Sequence, residues 1–134
     1  MHALKRFHID AGRARAACSR SQAPKADRIL IVDDHGLVRR GLALAIQSRQ
    51  PDCSVFEAAT LAQALRRAAS IPDLSAVLYD LRLADAIGLG GLRTLLDAVG
   101  DVPVIVISGE IDGRIVGDCL RAGARGVLPK SCDG

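Results

Sequence analysis

Short apolar runs ending on polar residues alternate along this chain with stretches that are amphipathic at helical spacing. Ile29-Leu30-Ile31-Val32 stops on Asp33-Asp34, and Ala76-Val77-Leu78-Tyr79 stops on Asp80. Pro103-Val104-Ile105-Val106-Ile107 stops on Ser108, and Gly126-Val127-Leu128-Pro129 is followed by Lys130. Strands buried on both faces read as such continuous runs, because neither side needs to be polar. A shorter run, Ser54-Val55-Phe56-Glu57, reads as one more strand. Between the runs, apolar residues recur at helical spacing: Leu37/Val38, Leu42 and Ala45/Ile46 over 36–49, then Leu61, Leu65 and Ala69 behind a Thr60 cap. Leu92, Leu95, Leu96 and Val99 predict a third helix, and Ile115, Val116, Cys119 and Leu120 behind Asp112 a fourth. Strands alternating with helices through short connections require a parallel sheet with right-handed crossovers. The fold class is α/β, doubly wound.

Composition narrows what such a domain can do. Phe7, Phe56 and Tyr79 are the only aromatics, so the core is built from Leu, Ile, Val and Ala, and a stacking platform for single-stranded nucleic acid is lacking. The net charge of +3 is uneven: residues 1–28 carry seven Lys/Arg against Asp10 and Asp27, which leaves a mildly acidic remainder of −2. The basic pI therefore belongs to residues 1–27, expected to be a disordered leader and linker, with a domain over 28–134. Direct DNA binding is not expected of the chain. Cys18, Cys53, Cys119 and Cys132 show neither a Cys-x-x-Cys pair nor spacing to histidines for a metal cluster, and fit reduced cytosolic thiols. Without a membrane-length apolar segment or a secretory leader, the expected location is cytoplasmic.

The residues at the strand ends carry the chemistry. In a parallel sheet the carboxyl ends share one edge, where open α/β sheets hold their ligands. That edge gathers Asp33, Asp34, Asp80, Ser108 and Lys130. Three carboxylates close together repel and raise one another's pKa values, and a hard dication such as Mg2+ relieves this while binding phosphate oxygens. Such an ion keeps Asp80 ionised and nucleophilic. Ser108 and Lys130 can then hold the other oxygens of a phosphoryl group. His35 is expected beside this pocket, at the start of the first helix, rather than as base or ligand. Tyr79, opposite to Asp80 by strand alternation, is expected in the core.

The set Ile-Leu-Ile-Val-Asp-Asp-His, Tyr-Asp-Leu-Arg-Leu-x-Asp-x-x-Gly, Val-Ile-Val-Ile-Ser-Gly and Gly-Val-Leu-Pro-Lys-Ser resembles the response-regulator receiver family, with a CheY-like fold. The match runs from about Arg28 to Ser131 and looks most like receivers of LuxR-type transcriptional regulators. The resemblance implies a five-stranded flavodoxin-like sheet of order 2-1-3-4-5. It implies that Asp80 accepts a phosphoryl group from a sensor histidine kinase or phosphotransfer protein. Asp33, Asp34, Asp80 and the Arg82 backbone carbonyl would hold Mg2+. Ser108 would hydrogen-bond the phosphoryl group, and Lys130 would pair with it. The chain would act as a signalling module rather than an enzyme on outside substrates.

Three departures from the family pattern stand out. Val127 occupies the place of an aromatic that reports phosphorylation at the outer face. Ala84 replaces the proline after the phosphoacceptor, so that loop is expected to be less stiff. Only four residues follow Lys130, so the family's fifth helix is expected to be missing, uncovering apolar surface on helix one and on strands one and five for a homodimer or another partner. A weaker expectation is that the leader, through Leu4, Phe7, Ala11, Ala14 and Cys18, folds back in its place. Two alternatives stay open: a pseudo-receiver that keeps the fold without the phospho-switch, and a Mg2+-dependent phosphatase resembling haloacid dehalogenases. The latter needs an acid two residues after the nucleophile, where this chain has Arg82.

Overall fold

A computed structural model describes residues 26–130. The leader and the four residues after Lys130 lie outside the described residues, and with them the expectations of a disordered or folded-back leader and of a missing fifth helix. The elements run β1 (Arg28–Val32), α1 (Gly36–Arg49), β2 (Ser54–Ala58), α2 (Leu61–Ser70), β3 (Ala76–Asp80), β4 (Arg82–Leu83), β5 (Ala86–Ile87), α3 (Leu89–Val99), β6 (Val104–Ser108), α4 (Gly113–Ala122) and β7 (Gly126–Pro129). Five strands pair in the order β2-β1-β3-β6-β7, all parallel. Parallel pairing aligns their carboxyl ends, so that Val32 pairs with Tyr79, Asp80 with Ile107 and Ser108 with Pro129.

Alternation along each strand divides the core in two. Leu30, Val32, Val77, Tyr79, Val104 and Val106 face Ala64 of α2, Leu92 and Leu95 of α3 and Cys119 of α4. Ile29, Ile31, Leu78 and Ile105 face the other way, against Ala43 and Ile46 of α1. Tyr79 thus lies in the core, as its alternation with Asp80 requires. Each helix start has its own solution. Thr60 accepts the Gln63 amide at 3.0 Å, and Asp112 accepts the Ile115 amide at 2.8 Å. His35, the residue before α1, makes no side-chain cap.

Two expectations need correction. The stretch after Asp80 is not an open loop: Arg82 pairs antiparallel with Ile87 and Leu83 with Ala86, turning at Ala84-Asp85. Both tip residues are held. The Ala84 amide donates to Asp34 Oδ2 at 3.0 Å, and Asp85 accepts the Leu61 and Ala62 amides at 3.0 and 3.3 Å. Such ties do what a proline ring would otherwise do for this turn, by restricting the backbone from outside. On the α1 face, the large exposed apolar side chains are on the helix, and Leu128 of β7 is partly buried, but β1 is not uncovered. Leu37 is 89% and Leu44 60% exposed, whereas Ile29 and Ile31 of β1 are buried. The strand is covered because Ala43, Ile46 and Cys53 cluster directly over it.

Candidate functional site

The β1–α1, β3–β4 and β7 ends converge on one pocket. Asp33 and Asp80 are fully buried, which is costly for carboxylates unless they are paired or bind a cation. The three acids share one arrangement. Asp33 Oδ1 accepts the His35 amide at 2.8 Å, Asp34 Oδ2 the Ala84 amide at 3.0 Å, and Asp80 Oδ1 the Arg82 amide at 3.0 Å. Each carboxylate is thereby oriented by one backbone N–H and turns its second oxygen to the pocket.

Those second oxygens carry the electrostatics. Lys130 Nζ lies 2.9 Å from Asp80 Oδ2 and 3.3 Å from Asp33 Oδ2. Asp33 Oδ2 and Asp34 Oδ1 are buried and receive no hydrogen bond. Burial alone would push the Lys130 ammonium down, but its hydrogen bond and attraction to Asp80, joined by Asp33, hold it above its ordinary value. One ammonium against three carboxylates leaves their charges about two short of balance. Two buried oxygens that make no hydrogen bond, only one of them facing Lys130, and that imbalance both fit a hard divalent cation.

His35 stands closer than the sequence suggests. Its Nδ1 is 3.0 Å from Asp34 Oδ1, 3.2 Å from Asp33 Oδ1, 3.3 Å from Lys130 Nζ and 3.9 Å from Asp80 Oδ2. Asp33, Asp34, His35 and Asp80 each offer a ligand atom, all within 4.8 Å of one another. Ser108 is buried at the end of β6, but its hydroxyl donates to the Glu110 carbonyl at 3.0 Å and accepts the Glu110 amide at 3.3 Å. The hydroxyl is therefore at the correct edge and engaged with the neighbouring turn rather than with Asp80. Arg82 touches Asp80 through its amide, while its guanidinium reaches Glu110 at 3.3 Å in solvent. Val127 is half-buried against the core cluster of Val104 and Val106.

A supporting group beneath the pocket has no counterpart in the sequence reading. Arg39 Nη1 donates to the Asp33 carbonyl at 2.6 Å while its Nε holds Glu57 at 2.8 Å. Arg40 holds the other Glu57 oxygen at 2.6 Å. Burial would raise the Glu57 carboxyl, but Arg40 and Arg39 hold it below its usual range. The network ties the end of β2 and the first turns of α1 to the backbone that carries Asp33. In sequence, the arginines have the spacing of a solvated helix face, and nothing local links them to Glu57.

Comparison with known proteins follows the same lines. A family model described as the response regulator receiver domain matches residues 29–134. The glycerol metabolism activator of Pseudomonas putida is 36% identical over 104 residues, covering 78% of this chain and 47% of that protein. The DNA-binding transcriptional activator DevR/DosR of Mycobacterium tuberculosis is 32% identical over 109 residues, covering 80% and 49%. The chain thus spans about half the length of these curated relatives. A LuxR-family two-component response regulator from Aurantimonas superposes with a TM-score of 0.71 at 29% identity, over 81% of this chain and 76% of that one. Among the described residues, no helix is long and apolar enough to cross a membrane. With the sheet order, the converging strand ends and a match over most of its length, the chain belongs to the response regulator receiver domain family of two-component signal transduction.

Proposed function

We propose that Asp80 is the phosphoacceptor of this receiver and that its donor is the phosphohistidine of a sensor histidine kinase or phosphotransfer protein. The observation that carries this reading is the orientation of Asp80. Its Oδ1 is held by the Arg82 amide while its Oδ2 meets Lys130 at 2.9 Å inside a buried anionic pocket. An Asp80 oxygen attacks phosphorus as the nitrogen–phosphorus bond of the donor breaks, and the donor imidazole leaves with the electron pair and takes up a proton. Lys130 balances charge on the phosphoryl oxygens. Ser108 supplies a hydroxyl to one of them after giving up its Glu110 contacts. Asp33, Asp34, Asp80 and the Arg82 carbonyl form the site for Mg2+, which when bound neutralises the carboxylates and the incoming phosphoryl charge.

The unit that does this is residues 28–134, a cytoplasmic signalling module that catalyses only its own phosphorylation and dephosphorylation. The transcriptional role of its curated relatives supports an output that reaches gene expression. The test is incubation with a small phosphodonor, with and without Mg2+, followed by intact mass. The expected result is a Mg2+-dependent gain of one phosphoryl group, absent in Asp80→Asn and slowed in Lys130→Ala. A gain that survives Asp80→Asn, or the absence of any gain, overturns the assignment.

A further inference from the structure

Arg39 is a cation where α1 gains nothing from one. It stands one turn into the helix, whose first turn carries no acid, and positive charge near a helix N-terminus opposes the helix dipole. Nor is it a solvated surface group, since only 20% of its side chain is exposed. Helical side chains lean toward the N-terminus, so the guanidinium reaches back to the turn that carries Asp33, Asp34 and His35. There it is shared between two acceptors: Nη1 donates to the Asp33 carbonyl at 2.6 Å and Nε to Glu57 Oε1 at 2.8 Å. Arg40 holds the other Glu57 oxygen at 2.6 Å, so that carboxylate is fixed from both sides.

What the contact fixes is a peptide plane. The Asp33 amide donates to the Ala58 carbonyl of β2 at 3.0 Å, and the Asp33 carbonyl accepts from Arg39. A trans peptide is planar, so a carbonyl held in place sets the orientation of the whole unit that joins Asp33 to Asp34. Both acids hang from that unit. The His35 and Ala84 amides hold one oxygen each of Asp33 and Asp34, but those bonds act at the ends of rotatable side chains. Among the described residues, Arg39 is the side chain that holds the backbone between the two acids.

We propose that Arg39, braced by Glu57, is a positioning residue for phosphoryl transfer to Asp80: it sets the peptide between Asp33 and Asp34, and with it the spacing of the two carboxylates beside the phosphoacceptor. Its donors go to a carbonyl and to Glu57, so it acts through the backbone and not on the carboxylates of the pocket. The inference rests on the reading of Asp33, Asp34 and Asp80 as the receiver's site. Coulomb's law gives it a sign. Deleting a positive charge beside an anionic pocket should by itself strengthen cation binding, so weaker binding is the mark of lost position.

The full chain and its variants are titrated with Mg2+ by calorimetry and phosphorylated by a small phosphodonor over a range of Mg2+ concentrations. Arg39→Ala is expected to weaken Mg2+ binding about tenfold, while its phosphorylation rate at saturating Mg2+ stays within about twofold of wild type. In the metal-free protein the His35 amide, bonded to Asp33 Oδ1, should exchange about tenfold faster. Arg39→Lys keeps the charge but not the fork, and should still weaken Mg2+ binding about threefold or more. That variant carries the test alone if circular dichroism finds Arg39→Ala unfolded. Glu57→Ala should weaken binding about threefold in wild type and add nothing in the Arg39→Ala background, where a Coulomb effect of Glu57 would persist. Mg2+ affinity unchanged or raised in the folded Arg39 variants overturns the proposal, even where their stability has fallen. A maximal rate that drops with affinity unchanged overturns it too, as does a Glu57→Ala effect that adds in full. Wild type that binds no Mg2+ and takes up no phosphoryl group removes the receiver reading itself. Wild type that does both, with the Arg39 variants indistinguishable from it, refutes the positioning role and leaves the receiver site standing.

Discussion

Replacing Lys130 by alanine should destabilise the metal-free domain and do so reversibly by cation. The ammonium stands 2.9 Å from Asp80 Oδ2 and 3.3 Å from Asp33 Oδ2, with only 15% of the side chain exposed. At an effective dielectric of about 20, charges at such contacts attract by about 5–6 kcal/mol each, before the desolvation of the lysine is subtracted. Desolvation removes several kcal/mol, and removing one partner of a buried pair typically costs about 3–5 kcal/mol because the other charge stays buried. Partial exposure of Lys130 places the expected loss near the low end, about 3 kcal/mol. Urea unfolding in the presence of a chelator measures it, and saturating Mg2+ should restore most of the loss by supplying the missing positive charge. The effect has a defined pH window. Because the folded-state Lys130 value is raised, its contribution is complete below its unfolded value of about 10.4 and is lost as pH rises through the higher folded value. Wild type and variant should therefore converge on the alkaline side. A difference under about 0.5 kcal/mol in chelator, or a deficit that Mg2+ leaves unchanged, refutes the assignment of Lys130 as the counter-charge of this pocket.

Gly91 of α3 is packed directly against Tyr79 and Ala86. A Cβ there would stand 2.5 Å from Tyr79 Oη and 2.7 Å from Ala86 Cβ, so Gly91→Ala should lose about 1–2 kcal/mol despite the better helix propensity. Tyr79 Oη is buried without a partner, and its hydroxyl is pushed up to about 12 by burial, with Asp85 and Asp80 adding repulsion. Tyr79→Phe should therefore be neutral or stabilising in thermal melts, and should recover part of the Gly91→Ala loss in the double variant. Asp85→Ala should cost about 1 kcal/mol by freeing two amides at the start of α2, with faster hydrogen exchange at Leu61 and Ala62 as its signature. Asp34→Asn should preserve the Ala84 contact while weakening metal binding, and Asp34→Ala should lose both; loop exchange equal in the two variants would refute the division of labour between the Asp34 oxygens.

The parts of this molecule that were legible in sequence are those with a periodic or terminal signal. The β1, β3 and β6 runs declare a two-sided buried sheet, and each ends on the residue that the structure brings to the shared edge. Thr60 and Asp112 announced their helix starts because capping is local. The β4–β5 hairpin was not legible, since two-residue strands are too short to carry a period and their register comes from ties to Asp34 and to α2. The same holds for Arg39, whose contacts with the Asp33 carbonyl and Glu57 span 6 and 18 residues. His35 was placed correctly beside the pocket, but only coordinates tell a ring pointing past three acids from one pointing among them. Ser108 shows the reverse. Its strand-end position was evident, yet its hydroxyl is engaged by the next turn through Glu110.

The pocket's geometry explains how so much negative charge can sit in an apolar sheet edge. Three backbone amides, from His35, Arg82 and Ala84, each fix one oxygen of a carboxylate. Two of those amides belong to the hairpin that follows Asp80, and the third opens α1. The donors are therefore part of the strand-end turns themselves rather than additional side chains. An amide hydrogen bond stabilises a carboxylate without neutralising it, so orientation is supplied by the backbone and charge compensation is left to Lys130 and a cation. That division keeps the second oxygens free of backbone partners and open to Lys130. It also couples the acids to the turn: the Asp34 carboxylate that borders the pocket also holds the amide of Ala84, the residue standing where the family has its proline. The substituted turn is thus held from outside, by an acid of the pocket it borders and by the start of α2, rather than by a ring of its own.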